Sequence, residues 1–138
     1  MNSYRLRDLH SGMTHQFEVQ VTKDMMRKFL DISGDCNPLH TDIEFARTAG
    51  YSDCVTYGML TASFYSTLVG VHLPGRHVLL HGVDASFAAP VFPGDMLTVQ
   101  GEITTIHLPL KQVEMRAHIT NQRGEKVSRA KIRMGVRE

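Results

Sequence analysis

Asp35 and His40 stand five positions apart in the run Ser33-Gly34-Asp35-Cys36-Asn37-Pro38-Leu39-His40, a carboxylate and an imidazole that could pass a proton between them. The segment separating them cannot continue a helix. Asn37 precedes a proline and is pushed toward extended backbone, and Pro38 has no N–H to add to a ladder, so the chain must bend and can bring the two side chains to one place. The residue types alone leave two readings open: a proton-transfer pair, or a turn-forming aspartate beside a surface histidine. Cys36 lies between them without an adjacent base to activate its thiol and reads as a small packing residue.

The flanking elements bracket this bend. Phe17, Val19 and Val21 alternate with Glu18, Gln20 and Thr22, which predicts a strand with one buried face. From Lys23 to Ser33 the apolar residues fall at helical spacing, with Thr22 as N-cap and Gly34 as stop. A second short helix is expected after Asp42, its own cap, with Phe45, Ala46 and Ala49 buried and Gly50 ending it. The segment from Gly58 to Gly70 carries little charge and predicts a helix surrounded by protein on most sides. Alternation then returns in Val83, Ala85 and Phe87, in Leu97 to Thr104, in Val113 to Thr120 and in Arg129 to Met134; Phe92-Pro93-Gly94-Asp95 and Asn121-Gln122-Arg123-Gly124 are turns. One helix followed by antiparallel strands implies an α+β fold, a curved antiparallel sheet wrapped around a central helix.

A chain of 138 residues is the size of one domain, taken here as 1–138. A net charge of +1 gives no reason to expect a nucleic-acid partner. No apolar signal core opens the chain and no apolar run reaches a membrane span, so no membrane partner and a cytoplasmic location are expected. Cys36 and Cys54 are too few for a disulfide framework, and the eight histidines lack metal-ligand spacing, so no metal is expected.

The stretch from Phe29 to Ala46 resembles the hydratase motif of the MaoC-like, (R)-specific enoyl-CoA hydratase family. Tyr57-Gly58-Met59-Leu60-Thr61-Ala62-Ser63-Phe64-Tyr65-Ser66 is similar to that family's second signature, and Phe87-Ala88-Ala89-Pro90-Val91-Phe92-Pro93-Gly94-Asp95 to its third. The resemblance implies a hot-dog fold, a homodimer, and a lyase of fatty acid metabolism that interconverts trans-2-enoyl thioesters of coenzyme A or acyl carrier protein with (R)-3-hydroxyacyl thioesters, with no cofactor. It also implies site roles: Asp35 and His40 act on one catalytic water, the Gly58 N–H receives the thioester oxygen, and Ser66 supports the catalytic pair. Asn37 reads as a supporting residue that shapes the turn. A base near the ordinary aspartate range is weak at neutral pH, so partial desolvation or a geometric advantage is expected at Asp35. Tyr57 stands where family members often have histidine. Arg76, Lys111, Arg116, Lys131 and Arg133 are candidates for the coenzyme A phosphates. The alternatives are an acyl-CoA thioesterase and a non-catalytic acyl-thioester binding module; the intact Asp35 and His40 speak against the latter.

Overall fold

A computed structural model describes residues 1–138. Strand β1 (Thr14–Gln20) leads into helix α1 (Lys23–Ser33), where the Thr22 hydroxyl accepts the Met25 N–H at 3.1 Å and Gly34 closes the last turn at φ +72°. This is the helix the spacing predicts. Two further short helices follow, α2 (Pro38–Thr41) and α3 (Ile43–Thr48). The turn at α2 is an addition to the sequence reading: Pro38 occupies a first-turn position, where a missing N–H costs nothing. Helix α3 forms as expected behind its Asp42 cap, but only Ala46 is buried, while Phe45 and Ala49 are exposed. A six-residue helix has under two turns, and here only one small residue of it is fully buried.

Helix α4 (Gly58–Thr67) continues through a π-turn (Leu68–His72) and lies against a five-stranded sheet. The other strands are β2 (Val78–Phe87), β3 (Met96–His107), β4 (Gln112–Thr120) and β5 (Lys126–Val136), in the order β1-β3-β4-β5-β2, with every neighbouring pair antiparallel. Leu60, Phe64, Tyr65, Leu68 and Val69 of the helix pack on Leu97, Val99, Ile103, Met115, Ile119, Ile132 and Met134 of the sheet, all buried in one core. The Tyr65 hydroxyl donates to Ser128 Oγ at 2.8 Å, and Ser128 in turn donates to the Ser86 carbonyl, tying α4 to β5 and β2. The expected sheet wrapped on a helix is therefore observed.

Coverage of α4 differs from expectation. Met59, Ser63 and Ser66 form an open face, with Met59 67 % exposed. The sheet encloses one side of the helix only. Strand β2 is likewise an outer strand with one unpaired edge, and Leu79, Val83 and Phe87 on it remain exposed. Arg116, Lys131 and Arg133 alternate with the buried Met115, Ala117 and Ile132, which places them on the sheet face turned away from α4. No helix is long and apolar enough to cross a membrane.

Candidate active site

The loop joining α1 to α2 is built from side chains that cap its own backbone. Ser33 Oγ donates to the Phe29 carbonyl at 2.7 Å and accepts the Asp35 N–H at 3.1 Å. Asp35 Oδ1 accepts the Asn37 N–H at 3.1 Å, and Asn37 Oδ1 accepts the Leu39 N–H at 2.9 Å, so Asn37 is the N-cap of α2. Each short polar side chain stands where the next N–H has no helical partner. Asn37 thus shapes the turn.

His40 is held by the segment before α4. Its Nδ1 lies 2.6 Å from the Val55 carbonyl, and the Val55 N–H returns a bond of 3.0 Å to the Leu39 carbonyl. A carbonyl can only accept, so Nδ1 carries the proton and Nε2 presents a lone pair. Tyr57 joins the two halves of the motif. Its hydroxyl donates to the Asp35 carbonyl at 2.7 Å, while its ring lies 4.2 Å from the His40 ring and 4.8 Å from Phe29, centroid to centroid. Burial, then the charge of Asp35, raises the Tyr57 pKa above the usual phenol value, so this hydroxyl stays a donor at neutral pH.

Gly58 opens α4, where no side chain caps the helix and the first N–H groups have no partner within it. A Cβ there would lie 3.4 Å from the Phe87 ring, so the glycine leaves a narrow approach to its own backbone. Gly58 and His40 line one cavity of about 350 Å³, together with Val55, Thr56, Thr61 and Phe87. Thr56 and Thr61 are buried, and neither hydroxyl has a hydrogen-bond partner in the protein. Both hydroxyl oxygens lie beneath the cavity surface, two unmet polar groups beside a helix N-terminus.

His40 and Gly58 thus line one cavity, which Asp35 does not line; the Tyr57 hydroxyl holds the Asp35 main-chain carbonyl while its ring packs on His40. Asp35 itself is exposed in the single chain; of the two expectations for it, partial desolvation or a geometric advantage, the first is not seen there. Ser66 lies on the open face of α4, two turns from Gly58, bonded to neither Asp35 nor His40. Cys36 is exposed, against its reading as a packing residue. The Cys54 thiol is pushed up by burial and by Asp53 and Asp42, which disfavours its thiolate. The Tyr57 hydroxyl clamp and the two threonines are absent from the sequence reading. Tyr57 carried a signal in its position before Gly58; nothing in the local sequence marks Thr56 or Thr61.

A family model described as MaoC like domain matches residues 9–125. The (R)-specific enoyl-CoA hydratase of Aeromonas caviae is 42 % identical over 78 residues, covering 56 % of this chain and 58 % of that protein. The 3-hydroxybutyryl-CoA dehydratase of Methylorubrum extorquens is 29 % identical over 99 residues, covering 72 % and 63 %. The chain thus spans less than two thirds of the length of either relative. Among solved structures, the (R)-hydratase of Aeromonas caviae superposes with a TM-score of 0.90 at 29 % identity, over 94 % of this chain and 98 % of that one. An R-hydratase from Pseudomonas aeruginosa gives a TM-score of 0.91 at 27 % identity, over 97 % and 86 %.

Proposed function

Because the chain belongs to the MaoC-like domain family, whose hot-dog fold it shares with the R-hydratases, we propose that it is a lyase that adds water to trans-2-enoyl thioesters and removes it from (R)-3-hydroxyacyl thioesters. The observation that carries this reading is the fixed tautomer of His40 beside the free Gly58 N–H on one cavity wall. The imidazole can accept a hydrogen bond from water through Nε2, and the N–H can receive a carbonyl oxygen.

On this reading a water lies between the Asp35 carboxylate and His40 Nε2. Asp35 takes one proton as the hydroxyl adds to C3, His40 Nε2 orients the water by accepting its other O–H, and the electron pair moves to the thioester oxygen as an enolate. The Gly58 N–H, at the positive end of α4, stabilises that oxygen. Asp35 then returns its proton to C2 on the same face. Water is added whole and no electrons are gained or lost, so the step calls for no redox cofactor. Asn37 holds the turn.

The unpaired edge of β2, with Leu79, Val83 and Phe87 exposed along it, fits self-pairing with a second copy about a two-fold axis. We therefore read the working unit as a homodimer, and place it in the cytoplasm, in keeping with two free thiols. Incubation with crotonyl-CoA and longer trans-2-enoyl-CoA esters tests the reaction: loss of the conjugated thioester absorbance with formation of the R alcohol is expected. Release of free coenzyme A would replace this reading with a thioesterase, the S alcohol would overturn the stereochemical assignment, and saturable binding without turnover would leave a binding module.

A further inference from the structure

Asp95 is the only charged side chain that is buried, and no cation pairs with it. Neutral donors meet its carboxylate instead. Oδ2 accepts the Phe92 N–H at 3.0 Å and Oδ1 accepts an Nε2–H of Gln122 at 2.9 Å, while Gln122 Oε1 accepts the Met96 N–H at 3.1 Å. The Asp95 backbone closes the Phe92-Pro93-Gly94-Asp95 turn with a 3.0 Å bond to the Phe92 carbonyl and accepts the Val21 N–H at 2.9 Å. Asparagine or serine closes such a turn without taking a charge out of water. The carboxylate supplies what they lack, two acceptors on one rigid group, which join this turn to Gln122 in the turn between β4 and β5.

From Asp95 an unbroken line of hydrogen bonds leads to His40. The Phe92 N–H belongs to the same peptide group as the Val91 carbonyl, which accepts the Thr56 N–H at 2.7 Å. The Thr56 N–H in turn shares a peptide group with the Val55 carbonyl, which lies 2.6 Å from His40 Nδ1. A peptide N–H and C=O lie in one plane and point in opposite directions, so a rotation that frees either N–H swings the paired carbonyl off its own donor. Residues 88–95 form neither helix nor strand, and Val91 thus has no ladder to hold it. The line also carries charge. A carboxylate that accepts an N–H polarises that peptide toward its carbonyl oxygen, the next peptide responds in the same sense, and the bond to His40 Nδ1 gains strength.

We propose that Asp95 is a positioning residue for His40: through the Val91–Phe92 and Val55–Thr56 peptide groups its carboxylate sets the carbonyl that keeps the imidazole protonated at Nδ1 and leaves Nε2 with a free lone pair. The turn from Phe92 to Asp95 thereby gains a task in the reaction, although none of its residues lines the cavity shared by His40 and Gly58. The effect on turnover rests on the hydratase reading. The tautomer assigned to His40 does not.

Ring-nitrogen NMR shifts of isotope-labelled histidine test the relay at about pH 8.5, where an ordinary imidazole is neutral. His40, assigned by the signal lost in His40→Ala, should be protonated at Nδ1 in the parent, and a parent ring protonated at Nε2 overturns the proposal. Asp95→Asn keeps the shape but sets an amide NH2 against that of Gln122, which can turn to meet it only by releasing the Met96 N–H. In this variant the two His40 tautomers should mix, and kcat on an enoyl thioester should fall about tenfold with KM held within about twofold. Gln122→Glu alone, at an exposed position, sets two carboxylates against each other and pushes Asp95 off the Phe92 N–H, so it should mix the tautomers even where Asp95→Asn does not fold. Combining the two substitutions restores one NH2 facing one carboxylate and should restore both the Nδ1–H tautomer and kcat. A lowered Tm with the parental tautomer in whichever single variants fold makes Asp95 a residue of the fold alone and overturns the proposal, as does a double variant that regains Tm without the tautomer. Should the parent hydrate no enoyl ester, the hydratase reading falls and the tautomers decide the relay by themselves.

Discussion

Tyr57→Phe removes one oxygen from the place where the proposed catalytic loop is fastened. The variant keeps the ring against His40 and Phe29 and loses only the 2.7 Å bond to the Asp35 carbonyl. A neutral hydrogen bond of this kind contributes about 1 kcal/mol net. For a chain of this size that lowers Tm by about 4 °C. The same energy bounds the kinetic effect: if the clamp favours the aligned loop by about 1 kcal/mol, its removal cuts the ratio of aligned to misaligned loop about fivefold, and the aligned population by no more than that. Hence kcat on an enoyl thioester should fall, by up to about fivefold, with little change in KM, because the loop carries the proposed proton-transfer groups. Tyr57→Ala also loses the ring and should cost about 3 kcal/mol or more in stability. Thermal unfolding and steady-state kinetics of parent, Tyr57→Phe and Tyr57→Ala separate the two contributions. Parental kcat and Tm in Tyr57→Phe would refute the clamp. The raised pKa of Tyr57 adds a pH signature: the unfolded phenol ionises first, near pH 10, so the clamp's stabilisation is intact below that and fades as pH rises through the higher folded value.

Asp35→Asn, which keeps an oxygen for the Asn37 N–H, and His40→Ala should each lower hydratase turnover by about 10²-fold or more with the fold retained; a folded variant with near-parental rates would refute the assigned roles. Gly58→Ala puts a methyl group 3.4 Å from the Phe87 ring on the approach to the N–H, so kcat/KM should drop about tenfold while Tm holds or rises, and a loss of Tm in step with activity would point to packing instead. His72, stacked between His15 and Phe17, has its pKa lowered by burial, then by His15 and the N-terminal amine; the unfolded imidazole binds a proton more readily, so stability should decline as pH falls from 7.5 to 5, and His72→Phe should flatten that decline in urea titrations. Sedimentation at micromolar concentration should give a dimer, and Val83→Lys on the open β2 edge should shift it toward monomer; a monomeric parent would remove the two-fold model.

The fold was legible wherever local chemistry decides it. Thr22, Gly34 and the spacing of Met25, Met26, Phe29 and Leu30 define α1 to its ends, because a cap and a stop act on adjacent backbone. Alternation located the strands for the same reason. What it could not give was coverage: whether Phe45, Met59, Val83 or Phe87 is buried depends on what lies beyond the element, and in one chain nothing lies there. In the site, Asp35, Asn37 and His40 announce themselves through the bend at Pro38, whereas the Val55 carbonyl that selects the His40 tautomer is an ordinary peptide group. It became functional through a contact across 15 positions of sequence. Thr56 and Thr61 are similar, since a hydroxyl becomes notable only when burial leaves it without a partner.

Several residues of the candidate site and of α4 lie open in the single chain. Asp35, for which partial desolvation or a geometric advantage was expected, is open, Met59 and Ser66 line a bare helix face, and Phe87 stands against Gly58 and is half exposed. A local explanation would need a separate reason for each. A second copy paired along β2, as proposed, would account for them together: it would extend the sheet past Phe87 and bring protein toward the uncovered face of α4. That cover would exclude water from the cavity mouth and strengthen the pull of the Gly58 N–H on the thioester oxygen. Dimerisation and chemistry should then be lost together. If Val83→Lys yields a folded monomer, its kcat should fall by well over tenfold even though every proposed catalytic side chain is present, and a monomer with parental turnover would show that one copy holds a complete site.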